Sequence, residues 1–430
     1  MTRPLTILHA ASVSRGGAAI AMGRIAAAVA EGVDTHRCLN WYCDTVVPPS
    51  FSGRAIERAR LVGKNLATGL AWRRFRHAAR GVDDLFTTNA GRLERLPAEL
   101  LHGVDLVHFH WIARGMDVGP LLLNTALQLP VVWTLHDMNP FTGGCHYSQG
   151  CERFRDACGH CPLLTRAGED DLSRWVLRRK QRYFDRTPRE RVVINTYSRW
   201  METEAKSSRL LGRFPAAFVP LFADSAVFQP QDRAAARRAL GVDPSTRLIL
   251  VVADGLANRR KGYDLLWEAL RNIQLPDGNP TVLMIGRDDA PLEIGVPTVR
   301  LGYVSDPNRI ALAYNAADLF ICPSREENFA QTALEAVTCG CPVISFSVGG
   351  LKEIVIPGTS GFLATDIDSR SLREVIRDAF SNPQRLATMR LTCARFARET
   401  FSAATTGAAY RDLYASLIDR KAEAKLASRA

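Results

Sequence analysis

No stretch of the 430 residues approaches the 18 or more consecutive apolar positions of a membrane-spanning helix. The opening MTRPLTILHAAS holds an apolar run too short for a signal peptide, and Ser14-Arg15-Gly16-Gly17 follows at once. Both lacks point to a cytoplasmic chain whose first apolar run is a strand. A dinucleotide fingerprint is missing as well: the turn after that strand is not G-x-G-x-x-G, and no clear acidic residue closes the next strand. Acidic residues are in deficit, with 44 Asp and Glu against 55 Lys and Arg, which leaves a net charge of +11. Such an excess suits nucleic acid, anionic lipid or an acidic small substrate. No recognisable nucleic-acid module is present, so no nucleic-acid partner is expected.

Part of the basic excess is local. Residues 51–80 carry Arg54, Arg58, Arg60, Lys64, Arg73, Arg74, Arg76 and Arg80 against Glu57 alone, interleaved with Leu61, Leu66, Leu70, Trp72 and Phe75. That amphipathic pattern fits a peripheral site on an anionic membrane surface, such as the inner face of a plasma membrane, or a solvated helical hairpin. Of ten cysteines, four fall between Cys145 and Cys161. The scattered others sit mostly beside apolar residues and read as reduced core residues.

Strand-like and helix-like patterns alternate along the chain. Apolar runs at Leu5–Ala11, Val104–Trp111, Pro130–His136 and Arg191–Tyr197 read as strands, separated by helices at Ala18–Ala30, Leu93–Leu101 and Leu121–Leu129. The alternation lapses over VPLFADSAVFQPQ (Val219–Gln231), where two prolines mark a linker, and then restarts. The fold class expected is α/β, with two doubly wound, Rossmann-like domains whose parallel sheets are covered on both faces. The boundaries expected are 1–220 for the first domain, 221–400 for the second and 401–430 for a last helix. Tyr410, Leu413, Tyr414, Leu417 and Ile418 form one apolar stripe of that helix.

The most informative stretch is PSREENFAQTALEAVTCGCPVISFSVGGLKE, Pro323–Glu353. A buried strand precedes it, Ser324–Asn328 is a polar loop, and Ala330–Thr338 has helical spacing with small residues on one face. Glu327 lies in the loop and Glu335 in the helix. Eight residues of helix rise roughly 12 Å, so the two carboxylates suit two ends of one extended ligand better than one shared metal. This stretch resembles the Glu-x7-Glu signature of retaining glycosyltransferases of the GT-B fold, family 4. The run WTLHDMNPFTGGCHYSQGCERFRDACGHCPLL resembles a bacterial polysaccharide-type subgroup of that family.

The resemblance covers nearly the whole chain, least securely residues 48–92. It implies a cytoplasmic hexosyltransferase of polysaccharide biosynthesis. The donor would be a nucleotide-diphosphate sugar and the acceptor a glycan or a lipid-linked oligosaccharide, with retention of anomeric configuration. It assigns Gly16 and Gly17 to a loop facing the donor diphosphate, His136 to the sugar and acceptor, and Lys261 to the phosphates. Glu327 would hold the sugar and Glu335 the ribose. The catalytic set is then His136, Lys261 and Glu327, and the donor set adds Gly16, Gly17, Arg260, Phe329 and Glu335. The chain departs from the family where an arginine usually stands five or six residues before the lysine. Leu256 and Gly255 occupy those places, so Arg259 or Arg260 is left to take that role. The last helix is expected to cross back to the first domain. No cofactor is required for catalysis.

Cys145, Cys151, Cys158 and Cys161 could hold a structural tetrahedral zinc; two disulfides, or simple packing, are the alternatives. Other functional readings of the chain are a nucleotide-sugar epimerase or a phosphorylase of the same fold. A phosphorylase using pyridoxal phosphate would need a Schiff-base lysine, and none can be placed. A non-catalytic basic protein binding membrane or nucleic acid on a transferase scaffold is a third reading.

Overall fold

A computed structural model describes residues 4–32, 35–43, 86–89, 93–275, 278–287 and 295–427. The basic amphipathic segment 51–80 lies outside the described residues. The chain separates into two units, Met1–Val219 with Gly407–Ala430, and Pro220–Thr406.

The first unit is built on six strands: β1 (Leu5–Ala11), β2 (His36–Tyr42), β3 (Leu106–Phe109), β4 (Val131–Leu135), β5 (Val192–Thr196) and β6 (Ala216–Phe218). They pair in the order β2-β1-β3-β4-β5-β6, all parallel. The second unit repeats the architecture with β7 (Leu248–Gly255), β8 (Thr281–Arg287), β9 (Thr298–Arg300), β10 (Leu319–Cys322), β11 (Val343–Phe346) and β12 (Gly361–Ala364). Their order is β12-β11-β10-β7-β8-β9, again parallel throughout. Strands β3, β4, β5, β10 and β11 are buried along their whole length. Their unbroken apolar runs follow from that, since a parallel sheet has helices on both faces.

In each sheet the winding reverses at one place, between β1 and β3 in the first unit and between β7 and β10 in the second. The crevice beyond the carboxyl ends of the strands at such a reversal is where open α/β sheets bind ligands. This topological fact locates a candidate site in each unit.

Two helices differ from the sequence expectation. Only Ala98–Leu101 of the stretch 93–101 is helical. Pro97 enters in an extended conformation, and Leu93 instead makes a bridge to Met116. The expected helix Leu121–Leu129 runs over Val118–Ala126. Pro120 thus lies in its first turn, where a missing N–H costs little.

The last helix, Ala403–Ala427, leaves the second unit and packs on the first. Tyr410, Tyr414 and Leu417 are buried there. Gly407 permits this approach, since a Cβ at that position would sit 2.2 Å from the Ala28 carbonyl oxygen. Arg411 donates to the Ala28 and Val29 carbonyls at 3.2 Å each, satisfying oxygens left open at the end of the helix Gly17–Ala30.

Candidate functional site

In the second unit, the loops that leave β7 and β10 converge at the winding reversal. After β7, Asn258–Gly262 forms a short 3-10 turn, with the Asn258 side chain accepting from the Arg260 N–H. Gly262 closes it at φ +71, and a Cβ here would lie 1.8 Å from the Pro323 carbonyl oxygen. Only glycine lets the two loops approach this closely. The Arg325 N–H then bonds the Arg260 carbonyl at 2.8 Å, lacing the loops together. The Arg325 side chain forks onto both Asp264 oxygens at 2.6 Å, and this lowers the Asp264 pKa.

Glu327 sits at the centre of this junction and is buried. Its carboxylate accepts from Lys261 Nζ at 2.7 Å and from Arg260 Nη1 at 3.1 Å. Burial alone would raise its pKa; the charges of Lys261 and then Arg260, with their hydrogen bonds, outweigh burial and hold it at about 2. From the other side, the Gly349-Gly350 turn fixes the Glu327 backbone. The Gly350 N–H donates to the Glu327 carbonyl at 3.1 Å, and a Cβ on Gly349 (φ +49) would fall 1.8 Å from that same oxygen.

The helix Gln331–Thr338 begins four residues beyond Glu327 and carries Glu335, which is also buried. Only the steps from Gln331 to Glu335 are helical, a rise of roughly 6 Å; the rest of the path between the two carboxylates is loop. Phe329 is buried with its ring edge-on to Phe401 at 5.8 Å. Its side chain therefore packs the loop, and any ligand contact from this residue falls to its backbone.

In the first unit, Gly16 caps the helix Gly17–Ala30 just beyond β1, with φ +84, a conformation that favours glycine. His136 follows β4 directly. Its Nε2 lies 3.4 Å from His110 Nδ1 and 3.5 Å from the Tyr197 hydroxyl. Burial lowers its pKa to about 4 although Asp137 pulls the other way, so the ring is neutral near pH 7. Asp137 fastens the loop: it accepts from Trp111 Nε1 at 2.8 Å, His146 Nδ1 at 2.7 Å and the Asn139 N–H at 2.9 Å.

Sequence reasoning missed a buried group beside His136. His9 on β1, His108 on β3 and His110 just beyond it are wholly buried. Their donor atoms all lie within 4.8 Å of one another. His9 Nδ1 stands 3.1 Å from His110 Nε2, while His108 spends Nδ1 on the Tyr414 hydroxyl (2.7 Å) and Nε2 on Thr134 Oγ1 (2.6 Å). With both His108 nitrogens engaged, the trio reads as a polar network tying the last helix to the sheet. The i, i+2 spacing of His108 and His110 was the one signal in the sequence, since it sets both on one face of an extended chain; their meeting with His9 comes only from the register of β1 against β3.

Cys145, Cys151, Cys158 and Cys161 are free thiols lining one pocket in the long connection after β4.

Each unit is thus a doubly wound α/β domain of the Rossmann kind. The same fold occurs in solved GT-B glycosyltransferases. Sucrose-phosphate synthase from Thermosynechococcus elongatus is similar over 96% of this chain and 100% of its own, with TM-score 0.61 and 18% identity. The Anabaena protein HepE in complex with UDP-glucose is similar over 96% and 100%, with TM-score 0.60 and 18% identity. Residues 232–400, within the second unit, match the family described as Glycosyl transferases group 1.

Among curated proteins, the D-inositol 3-phosphate glycosyltransferase of Segniliparus rotundus is 33% identical over 208 residues, covering 45% of this chain and 46% of the relative. That of Pseudarthrobacter chlorophenolicus is 27% identical over 305 residues, 68% and 66% of the two chains. The chain spans about half the length of most of the curated relatives it matches.

Proposed function

We propose that this protein is a retaining glycosyltransferase that takes a sugar from a nucleotide-diphosphate donor and passes it to a glycan or lipid-linked acceptor. The observation that carries the reading is the contact of Lys261 and Arg260 with Glu327 at the winding reversal of a group 1 glycosyltransferase domain. Two cations on one carboxylate leave a net positive site in a partly dry crevice, which is what a departing diphosphate needs. HepE has been solved with UDP and UDP-glucose, and this favours a uridine nucleotide here.

In the proposed reaction the bond from the anomeric carbon to the diphosphate oxygen breaks, leaving positive charge on the ring. Lys261 Nζ and the Arg260 guanidinium turn from Glu327 toward the phosphate oxygens as charge accumulates there. Arg260 takes the place of the arginine missing at positions 255 and 256. Glu327 hydrogen-bonds sugar hydroxyls and fixes the ring, while Glu335 takes the ribose hydroxyls. The acceptor oxygen bonds the anomeric carbon on the face the phosphate leaves, and its proton passes to a phosphate oxygen. No separate base is then needed. Neutral His136 donates or accepts a hydrogen bond at the sugar without carrying charge. With two side-chain cations at the phosphates, the chemistry does not require a divalent metal.

A polysaccharide or lipid-linked acceptor at a membrane face accords with the basic amphipathic segment 51–80. No helix among the described residues is long and apolar enough to cross a membrane. The test is a panel of UDP-, GDP- and ADP-sugars scored by thermal shift and donor hydrolysis. One nucleotide sugar is expected to raise the melting temperature and be hydrolysed; indifference to all of them would overturn the proposal.

A further inference from the structure

We propose that Cys145, Cys151, Cys158 and Cys161 form a structural zinc site that holds the connection between β4 and the helix Leu172–Phe184. Residues 136–171 contain only short 3-10 turns, yet much of the segment is buried. Met138, Phe141, Phe154 and Cys158 pack it into the main core of the unit, while Cys161, Leu164, Leu172 and Val176, with Phe86, Leu163 and Trp175 against them, form a separate small cluster. A connection of this length without regular structure is uncommon in a compact domain.

The geometry points to a metal. All four cysteines line a single pocket, shared with apolar neighbours such as Phe154 and Leu163. The backbone between the last two is coiled into the left-handed region at three successive residues, Cys158 (φ 55), Gly159 (φ 93) and His160 (φ 47). L-residues adopt this conformation only where the surroundings hold them in it. Here it curls the chain so that both ends of the Cys-x2-Cys pair reach one pocket. The Asp171 carboxylate accepts the Cys161 N–H at 2.8 Å, and Ser173 Oγ accepts that of Gly159 at 3.0 Å, so the turn is braced from outside.

Backbone donors face two of the sulfurs, the Gly143 N–H at Cys158 and the Leu163 N–H at Cys161. The hydroxyls beside them brace the backbone instead: Thr142 donates to the Cys145 carbonyl at 2.6 Å and Ser173 to the Asp171 carboxylate at 2.6 Å. N–H donors of this kind orient thiolates for a metal. Lys180 pins the same connection from the neighbouring helix: it is buried, and its Nζ donates to the Asn139 and Thr142 carbonyls.

Among the described residues no three of the four sulfurs close to within 4.8 Å. Zinc binding is therefore expected to draw the sulfurs together. Four thiolates fill the tetrahedron, so the ion would have no open position for substrate and would act on folding alone.

The experiment is elemental analysis of the reduced, purified full chain, paired with zinc X-ray absorption. The expected result is about one zinc per chain with a sulfur shell at about 2.3 Å. Cys158→Ser and Cys161→Ser should lose it. Because these variants can fail to fold, the wild-type protein is also stripped with a chelator. Its melting temperature should then fall and be restored by Zn2+ but not by Mg2+. Metal-free protein with all four thiols freely reactive would overturn the proposal. So would iron in place of zinc, disulfides among the four, or a zinc with a nitrogen shell that survives Cys158→Ser. None of these readouts depends on sugar transfer, so the site and the proposed activity stand or fall separately.

Discussion

The residue with the most tightly prescribed surroundings is Glu327. Two cations grip its carboxylate, and the Gly349-Gly350 turn grips its backbone. Lys261→Ala should leave the protein folded, because Lys261 is the more exposed partner, at 31% of its side chain against 11% for Arg260. It should lower turnover by about 10²-fold or more, the scale of losing a preorganised charge at the leaving group. Glu327→Gln keeps the shape and one acceptor, so it should fold while losing transfer. Glu327→Ala should in addition cost about 3–5 kcal/mol by stranding two cations. Steady-state kinetics with denaturant melts separates these effects, and near-normal turnover of Lys261→Ala would remove it from the site.

Much of this site was legible in the sequence. The spacing of Glu327 and Glu335, the Lys261-Gly262 pair and the Gly349-Gly350 turn all stood out. What could not be read was the pairing of Glu327 with Lys261 and Arg260, sixty-odd positions away, because that contact exists only once β7 and β10 are neighbours. The histidines of β1 and β3 were hidden for the same reason: His9 and His108 meet only through strand register. Lys180 gave no signal either, since a lysine in a basic helix reads as solvated until its burial is seen.

Among elements, the loops after β7 and β10 behave as one unit because glycine permits their contact. Gly349→Ala would place a methyl 1.8 Å from the Glu327 carbonyl oxygen in a left-handed conformation. The Glu327 loop must then move by the order of an ångström, a displacement that can cost about 10²-fold in rate. The expected outcome is a large loss of turnover with a folded protein by circular dichroism. Unchanged kinetics would show that the loop does not position the reacting groups. The helices near Pro97 and Pro120 teach a complementary lesson. Apolar spacing marked helices there, but proline decided where they began.

For the whole molecule, the two-unit α/β architecture followed from the alternation of strand and helix and the break near Val219, where the contact boundary also falls. The last helix makes the first unit depend on the end of the chain. Deleting residues 407–430 would expose the places of Tyr410, Tyr414 and Leu417, each worth roughly 1.5–3 kcal/mol of burial. The sum rivals the 5–15 kcal/mol stability of a typical domain, so the truncated first unit should not fold cooperatively. A normal melting curve would contradict this.

Acid should also act unevenly on the two units. In the first, burial holds His9 at about 3 and His136 at about 4, below the usual 6.5. The unfolded chain therefore binds more protons than the folded one between those values, and stability falls as pH drops below about 6.5. Glu327 in the second unit is depressed from 4.5 to about 2, so its contribution is complete above about pH 4.5 and fades only as pH falls toward 2. Melts followed by hydrogen exchange should show the first unit loosening first between pH 6.5 and 5; simultaneous loss, or a second unit that yields first, would contradict this.

The central claim is that the cation pair at Glu327 exists to receive a nucleotide diphosphate. Its most direct test is binding of UDP, measured by calorimetry, to the wild-type chain and to Lys261→Ala. The account predicts saturable binding by wild type and at least a tenfold loss in the variant. Equal affinity in the two proteins, or no binding of UDP, GDP or ADP by either, would contradict it.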